Sequence, residues 1–362
     1  MSSGSWTSRP RARWPGIIEA YREFLPVQPE TPVVTLLEGN TPLVASRTIQ
    51  ERLRGRLWFK VEGANPTGSF KDRGMTLAVS RALQERSRGV ICASTGNTAA
   101  SAAAYAARAG LPCMVIVPAE GVASAKLTQA LASGATVVAV EGTFDRALEL
   151  AREAAARLTL TLVNSLNPYR LAGQQTAVWE ICEALEHAPD LIALPVGNAG
   201  NISAFWQGLA VYAAQGGGPR RTRLLGVQAA GAAPLVEGRV IAQPTTVASA
   251  IRVGSPASWR SAIEAAEGSG GAFLAVTDEE IFEAQDLLAR EEGLFVEPAA
   301  AAAVAGLLRL SGGGGVPSDG TAVAVLTGHG LKDVATVQAR LPLPPPVAAT
   351  IEAVAARIDG SR

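Results

Sequence analysis

From about Arg56 onward the chain repeats one pattern: a short run of β-branched and other apolar residues, then an alanine-rich run of helical length. "RLWFKVE" is followed by Lys71–Arg86, "GVICAST" by "TAASAAAYAARAG", and "CMVIVP" by "SAKLTQALASG". "TVVAVEG" precedes "TFDRALELAREAAAR", "TLTLVNS" precedes "GQQTAVWEICEAL", and "DLIALPVG" precedes "NISAFWQGLAVYAAQ". The strand runs are continuously apolar rather than alternating, which suits parallel sheets covered on both faces. Repeated βα units predict an open α/β architecture. A chain of 362 residues exceeds one ordinary core, so two open, mostly parallel α/β domains are expected.

Four regular units between Gly89 and Ser165 suggest a smaller domain over residues 76–166. The flanking segments 31–75 and 167–340 would then build a larger one. Pro10, Pro15, Pro26 and Pro29 make residues 1–30 read as an arm wrapped on a surface. "SGGGGVPSDG" reads as a surface loop before a strand. Residues 341–362 read as a tail, with a short helix after "LPLPPP".

Composition narrows the function classes. Lys plus Arg and Asp plus Glu balance at 32 each, so no net field draws nucleic acid or an anionic membrane. His187 and His329 are the only histidines, too few for a multi-histidine metal site, and no metal is expected. Cys92, Cys113 and Cys182 lie in apolar runs without metal-ligand spacing, as buried, reduced thiols would in a cytoplasmic protein. The arginines near the start precede no apolar core, and no apolar run would span a bilayer, so neither secretion nor membrane insertion is expected.

In open α/β sheets ligands sit at the carboxyl ends of the strands, and four turns there have unusual content. In "PTGSFKDRG", Ser69 reads as a helix N-cap and Asp72 as a favourable first-turn acid. Lys71 is less welcome at that positive helix end, unless a lowered pKa is its purpose. In "STGNTAAS", Ser94–Ser101, small and amide-bearing residues open a helix whose first N–H groups lack internal partners. That is either an over-polar cap or an anion cradle. "PVGNAGN" holds Gly197 and Gly200 where the backbone can approach an anion. It lacks the third glycine of the dinucleotide fingerprint and an acid after "RLLGVQA", so a phosphate monoester fits better than NAD. In "LTGHGLKD", His329 between glycines orders a turn, and Thr327 offers a neutral hydroxyl at the strand end. His187 reads as a surface residue at a helix end, leaving no Ser-His-Asp arrangement.

One candidate reactive lysine, two anion cradles and a strand-end hydroxyl together resemble the fold type II pyridoxal-phosphate enzymes, the tryptophan synthase β family. "EGNTPL", "KVEGANPTGSFKDRGM", "STGNTAASAAAYAARAG", "VNSLNPYRLAGQQT", "LPVGNAGN" and "LTGHGLKD" are similar, in order, to the motifs of its threonine synthase branch. They span most of Glu38–Asp333. The resemblance implies pyridoxal 5'-phosphate in the cleft between the two domains, with Lys71 condensing with its aldehyde. Asn97 would bond the phenolic oxygen, Thr327 would face the ring nitrogen, and Gly197, Asn198, Ala199, Gly200 and Asn201 would hold the phosphate.

The same resemblance implies conversion of O-phospho-L-homoserine and water to L-threonine and phosphate, the last step of threonine biosynthesis, by a cytoplasmic homodimer. The backbone of Ser94, Thr95, Gly96, Asn97 and Thr98 would take the substrate carboxylate. Asn164, Ser165, Asn167, Arg170 and Lys126 would take its phosphate, with Arg170 and Lys126 otherwise reading as surface charges. A threonine or serine dehydratase, an O-phosphoserine sulfur-transferring synthase and a catalytically silent regulator are the competing readings.

Overall fold

The apolar runs become strands because both of their faces are covered, and the alanine-rich runs become the helices that cover them. The computed structural model describes residues 13–53, 55–119, 127–218, 222–311, 319–341 and 343–359. Its strands are β1 (Leu43–Ala45), β2 (Arg56–Val61), β3 (Val90–Ala93), β4 (Cys113–Pro118), β5 (Thr136–Val140), β6 (Thr161–Leu162), β7 (Leu191–Pro195), β8 (Arg223–Ala229), β9 (Ala272–Val276) and β10 (Thr321–Leu326). They form a six-stranded sheet, ordered β1-β2-β10-β7-β8-β9, and a four-stranded sheet, ordered β5-β4-β3-β6. Among the described strands only β1 pairs antiparallel, with β2, and the other strand pairings are parallel.

The helices that follow these strands are α1 (Ile17–Ala20), α2 (Lys71–Gln84), α3 (Asn97–Ala109), α4 (Thr128–Ala132), α5 (Phe144–Leu158), α6 (Pro168–Leu185), α7 (Gly200–Ala214), α8 (Pro234–Glu237), α9 (Trp259–Ser269), α10 (Asp278–Glu291) and α11 (Pro298–Ser311). All lie in one compact unit, Met1–Lys332. A second unit, Asp333–Arg362, carries α12 (Val334–Arg340) and α13 (Ile351–Asp359), the short terminal helix expected after the proline run.

β3, β7 and β10 are buried at every position, as expected of continuously apolar parallel strands. From Ala299 to Ala305 no side chain of α11 is larger than valine, and all are buried in the core cluster of the larger sheet. The N-terminal segment departs from expectation. Residues 1–12 lie outside the described residues, but Ile17, Ile18 and Tyr21 are buried in the core rather than laid over it. Tyr21 and Phe24 both meet the Trp179 ring edge-on, and the Tyr21 hydroxyl donates to Glu183 at 2.8 Å.

Helices α2 and α6 cross at close range: a Cβ on Gly173 would collide with the carbonyl oxygen of Arg73. At this crossing lies a buried charge network. The Arg73 guanidinium donates to Glu62 at 2.6 and 2.7 Å and to Glu180 at 2.6 and 2.7 Å. Lys60 Nζ donates to the same Glu180 and to the carbonyl of Thr41, both at 2.7 Å. Burial works to raise the Glu180 pKa, yet Arg73 and Lys60 outweigh it and hold the carboxyl at about 2. Removing one member of such a network strands the others in a low dielectric, at a cost of about 3–5 kcal/mol. Glu180→Ala is therefore expected to lower the urea midpoint sharply, whereas substitution of the exposed Glu149 should leave it within error.

Candidate active site

Lys71 is the first residue of α2, and the loop before it is stitched to the end of β10. Gly68 adopts φ 83°, and its carbonyl accepts from the His329 N–H at 2.9 Å. Phe70 N–H donates to the Thr327 carbonyl at 3.0 Å, and Ser69 bridges Gly328. These contacts bring Thr327 and Lys71 to the same place. His329 does order its turn, its Nδ1 accepting from the Leu331 N–H at 3.1 Å. His187 is exposed, as its position at a helix end suggested.

Ser69 does not cap α2. Its hydroxyl is buried without a protein partner, and the helix begins after Phe70 with no side-chain cap. Asp72 turns inward, accepting from Thr67 N–H at 2.7 Å, Thr67 Oγ1 at 2.6 Å and Ser101 Oγ at 2.6 Å. Burial pushes this carboxyl up to about 6 against those bonds. Asp72 thereby ties the lysine loop to α3.

The Lys71 side chain is partly accessible yet densely surrounded by protein. Burial is the largest cause of a pKa brought down to about 7; the Arg170 guanidinium lowers it further, and the Glu297 carboxylate opposes both. An amine in this range can act as nucleophile and as proton carrier at neutral pH.

Asn97, the first residue of α3, donates from Nδ2 to Glu297 at 2.9 and 3.2 Å. Glu297 was not among the residues singled out from the sequence. Its signal was available: it is the only charge between Glu292 and Arg309, in an otherwise apolar stretch.

The turn Gly197–Asn201 follows β7, which lies beside β10 in the parallel sheet, so it shares the carboxyl-end edge with Thr327. Ala199 takes φ 65° to enter α7, and a Cβ on Gly197 would press on Ile251 Cα at 3.0 Å. Asn201 Nδ2 secures the turn through the Pro195 carbonyl at 2.7 Å. The N–H groups of Gly197, Asn198, Ala199 and Gly200 donate to none of the described residues. That is an anion cradle at the N-terminus of a 15-residue helix.

The turn after β3 is more committed. Ser94 N–H donates to the Ile116 carbonyl and Gly96 N–H to Ser94 Oγ, so the open donors are the N–H groups of Thr95, Asn97 and Thr98. Among the candidates for the substrate phosphate, Asn164 clips both backbone groups of Ala93, at 3.0 and 2.9 Å. Asn167 caps α6. Ser165 is half-buried, and Lys126 lies outside the described residues. Arg170 is no surface charge. It is fully buried, its Nη1 donates to the Val163 carbonyl at 2.6 Å, and its Nε has no partner. Burial brings its pKa down to about 10, and the nearest opposing influences are Cys92 and Asp72 rather than a paired carboxylate.

A protein-enclosed amine near neutrality, a cradle of unengaged N–H groups and an unpartnered buried Ser69 hydroxyl are what an anionic aldehyde cofactor requires. The family described as "Pyridoxal-phosphate dependent enzyme" matches residues 34–328. The chain belongs to that family, and its cofactor is pyridoxal phosphate. It is 55% identical to the threonine synthase of Mycobacterium leprae, over 94% of this chain and 95% of that protein. It is 49% identical to the threonine synthase of Methanocaldococcus jannaschii, over 86% and 80% of the two chains. Maize serine racemase shares the fold, with a TM-score of 0.73 and 23% identity over 83% of this chain and 92% of that one.

Two outcomes are expected from Lys71. Borohydride treatment of the holoenzyme should fix the cofactor on the peptide containing Lys71, and Lys71→Ala should retain none after denaturation. In the cofactor-free chain, the rate of cofactor capture should be half-maximal near pH 7 rather than above pH 10, falling below that as the amine protonates. Stopped-flow absorbance against pH measures it.

Proposed function

We propose that the chain is a threonine synthase, converting O-phospho-L-homoserine and water to L-threonine and phosphate. The observation that carries this reading is 49–55% identity to threonine synthases over at least 86% of the chain. The buried Arg170, which no carboxylate hydrogen-bonds, supports it, because a substrate dianion is what such a cation lacks.

Bound pyridoxal phosphate supplies an aldehyde for the substrate amine and an electron sink for charge developing at Cα. The chain supplies everything else. N–H groups of Gly197–Gly200 would hold the cofactor phosphate, and Asn97 would donate toward its phenolic oxygen. The neutral Thr327 hydroxyl would face the ring nitrogen and, unlike a carboxylate, would not favour its protonation. Thr95, Asn97 and Thr98 N–H groups bind the substrate carboxylate. Arg170 would bind the phosphate that leaves from Cγ, and Ser165 and Lys126 are the further donors proposed for it. Asn164 and Asn167 would shape this subsite through the backbone they secure. Lys71 would take the Cα proton and then a Cβ proton. It would return one to Cγ before water adds at Cβ and the other to Cα afterwards, while the proton of the added water goes to the departed phosphate. One amine can serve these steps because its pKa lies near the working pH.

Residues 76–166 would move as a smaller domain relative to 31–75 and 167–340. The assembly is proposed as a cytoplasmic homodimer. No described helix is long and apolar enough to cross a membrane.

Incubation with O-phosphohomoserine should release phosphate and threonine in equal amounts. Release of 2-oxobutanoate instead, or turnover only with O-phosphoserine and sulfite, would replace the reading. Arg170→Ala should lower kcat/KM for O-phosphohomoserine by about 10- to 150-fold or more, the range of one charge-assisted bond. Elimination from an unphosphorylated substrate should fall much less. Because Arg170 also depresses Lys71, the capture midpoint of this variant should move above pH 7.

A further inference from the structure

Glu297 lies just before α11 and is only 3% exposed. Its N–H donates to the Gly328 carbonyl at 3.1 Å, and its neighbour Val296 bridges His329, so it is pinned to the turn that carries Thr327. Gly328 has no side chain where one would matter: a Cβ there would collide with Glu297 Oε1. The carboxylate receives the Asn97 Nδ2 group on both oxygens. A charge buried this way is expensive unless compensated.

We propose that Glu297 is a positioning residue of the active site: it fixes the Asn97 amide for the cofactor and is the counter-charge facing Lys71. The argument for Asn97 is geometric. An amide nitrogen has two hydrogens, and a carboxylate accepts only from the nitrogen side. With one hydrogen held by Glu297, the orientation of the Asn97 amide is decided, and its second N–H points in a fixed direction. Without Glu297 the amide could turn over and present its oxygen instead, which would repel a phenolate.

The argument for Lys71 is electrostatic. Glu297 is bonded to Gly328, the residue that Ser69 bridges two positions before Lys71. Of the charges acting on the amine, Arg170 from α6 lowers its pKa while Glu297 raises it. Asp72, the chain neighbour of Lys71, is turned away to Thr67 and Ser101. Glu297 is thus the carboxylate that keeps the amine from losing its proton too readily, while burial and Arg170 pull the other way.

This inference rests on Lys71 and Asn97 being the residues that meet the cofactor. The test therefore begins on cofactor-free protein. Lys71 is labelled with acetic anhydride at a series of pH values, its peptide is quantified by mass spectrometry, and Lys71→Ala identifies the signal. Glu297→Gln keeps shape and loses charge, so the Lys71 midpoint should fall by about one unit and labelling at pH 6 should rise about five-fold. Pyridoxal phosphate affinity, read by fluorescence titration, should weaken about two- to ten-fold, the range of one net hydrogen bond. A glutamine variant whose Lys71 midpoint stays at the wild-type value overturns the proposal. If that variant does not fold, Glu297→Asp decides: it keeps the charge one methylene short, so the midpoint should hold while affinity falls. Unchanged affinity in the aspartate variant equally overturns it. Cofactor capture that survives Lys71→Ala would instead overturn the assignment of Lys71 itself, an outcome separate from both.

Discussion

Everything near the reactive lysine depends on where α2 is held, and α2 is held by the Arg73 guanidinium. Arg73 follows Lys71 by two residues and is fully buried between Glu62, from the end of β2, and Glu180, from α6. Lys60 joins from β2 itself, so two cations and two carboxylates balance within one dry pocket. Such a network contributes little net stability, because desolvation offsets much of the attraction. Its effect is on geometry. A planar fork that must meet two carboxylates at once tolerates one position of the helix, and the glycine at 173 lets α6 come close enough to supply the second.

That constraint is carried outward by backbone rather than side chains. Gly68, Ser69 and Phe70, just before Lys71, are bonded to the turn after β10, and the cradle after β7 stands on the neighbouring parallel strand. Parallel strands align their carboxyl ends, so a lysine, a hydroxyl and an anion cradle far apart in sequence arrive at one edge. The smaller sheet joins this edge through side chains. Asn97 reaches Glu297, Ser101 reaches Asp72, and Gln129 receives Lys332. Side-chain contacts of this kind rearrange more readily than a strand ladder, which fits a site that must admit and release a substrate.

What could be read from the sequence followed from locality. The two parallel sheets were legible because each strand and its helix are contiguous, and the glycine- and amide-rich turns stood out because ordinary βα turns do not need such residues. The short β1 and β9 were not anticipated: they are the two edge strands of the larger sheet, β1 is three residues long, and β9 is only half-buried along most of its length. Asn164 and Asn167 stood beside Arg170 as donors within seven residues, with Arg170 the foremost candidate. The fold separates them, since two amides secure backbone while the guanidinium is left without an anion. No spacing rule could have joined Lys60, Glu62 and Arg73 to Glu180, because a helix more than a hundred residues away supplies the fourth charge. Glu297 was overlooked for the opposite reason. A single acid before an alanine-rich helix reads as a first-turn charge until its burial is known.

The neutral-range amine of Lys71 illustrates how the two scales combine. Burial alone lowers a lysine without limit on where it stops, and an adjacent cation such as Arg170 pushes it further in the same direction. A base that loses its proton too easily is also a weak base, unable to hold the protons it abstracts. An opposing carboxylate is therefore needed, but one close to an empty-handed Arg170 would pair with it and close the anion site. The fold resolves this by bringing the cation from α6 and the carboxylate from the segment before α11, with the carboxylate engaged by Asn97 rather than by arginine. Lys71 is left between two charges that are kept from neutralising each other. That separation lets one site retain both a moderate base and an unpaired cation for a phosphate.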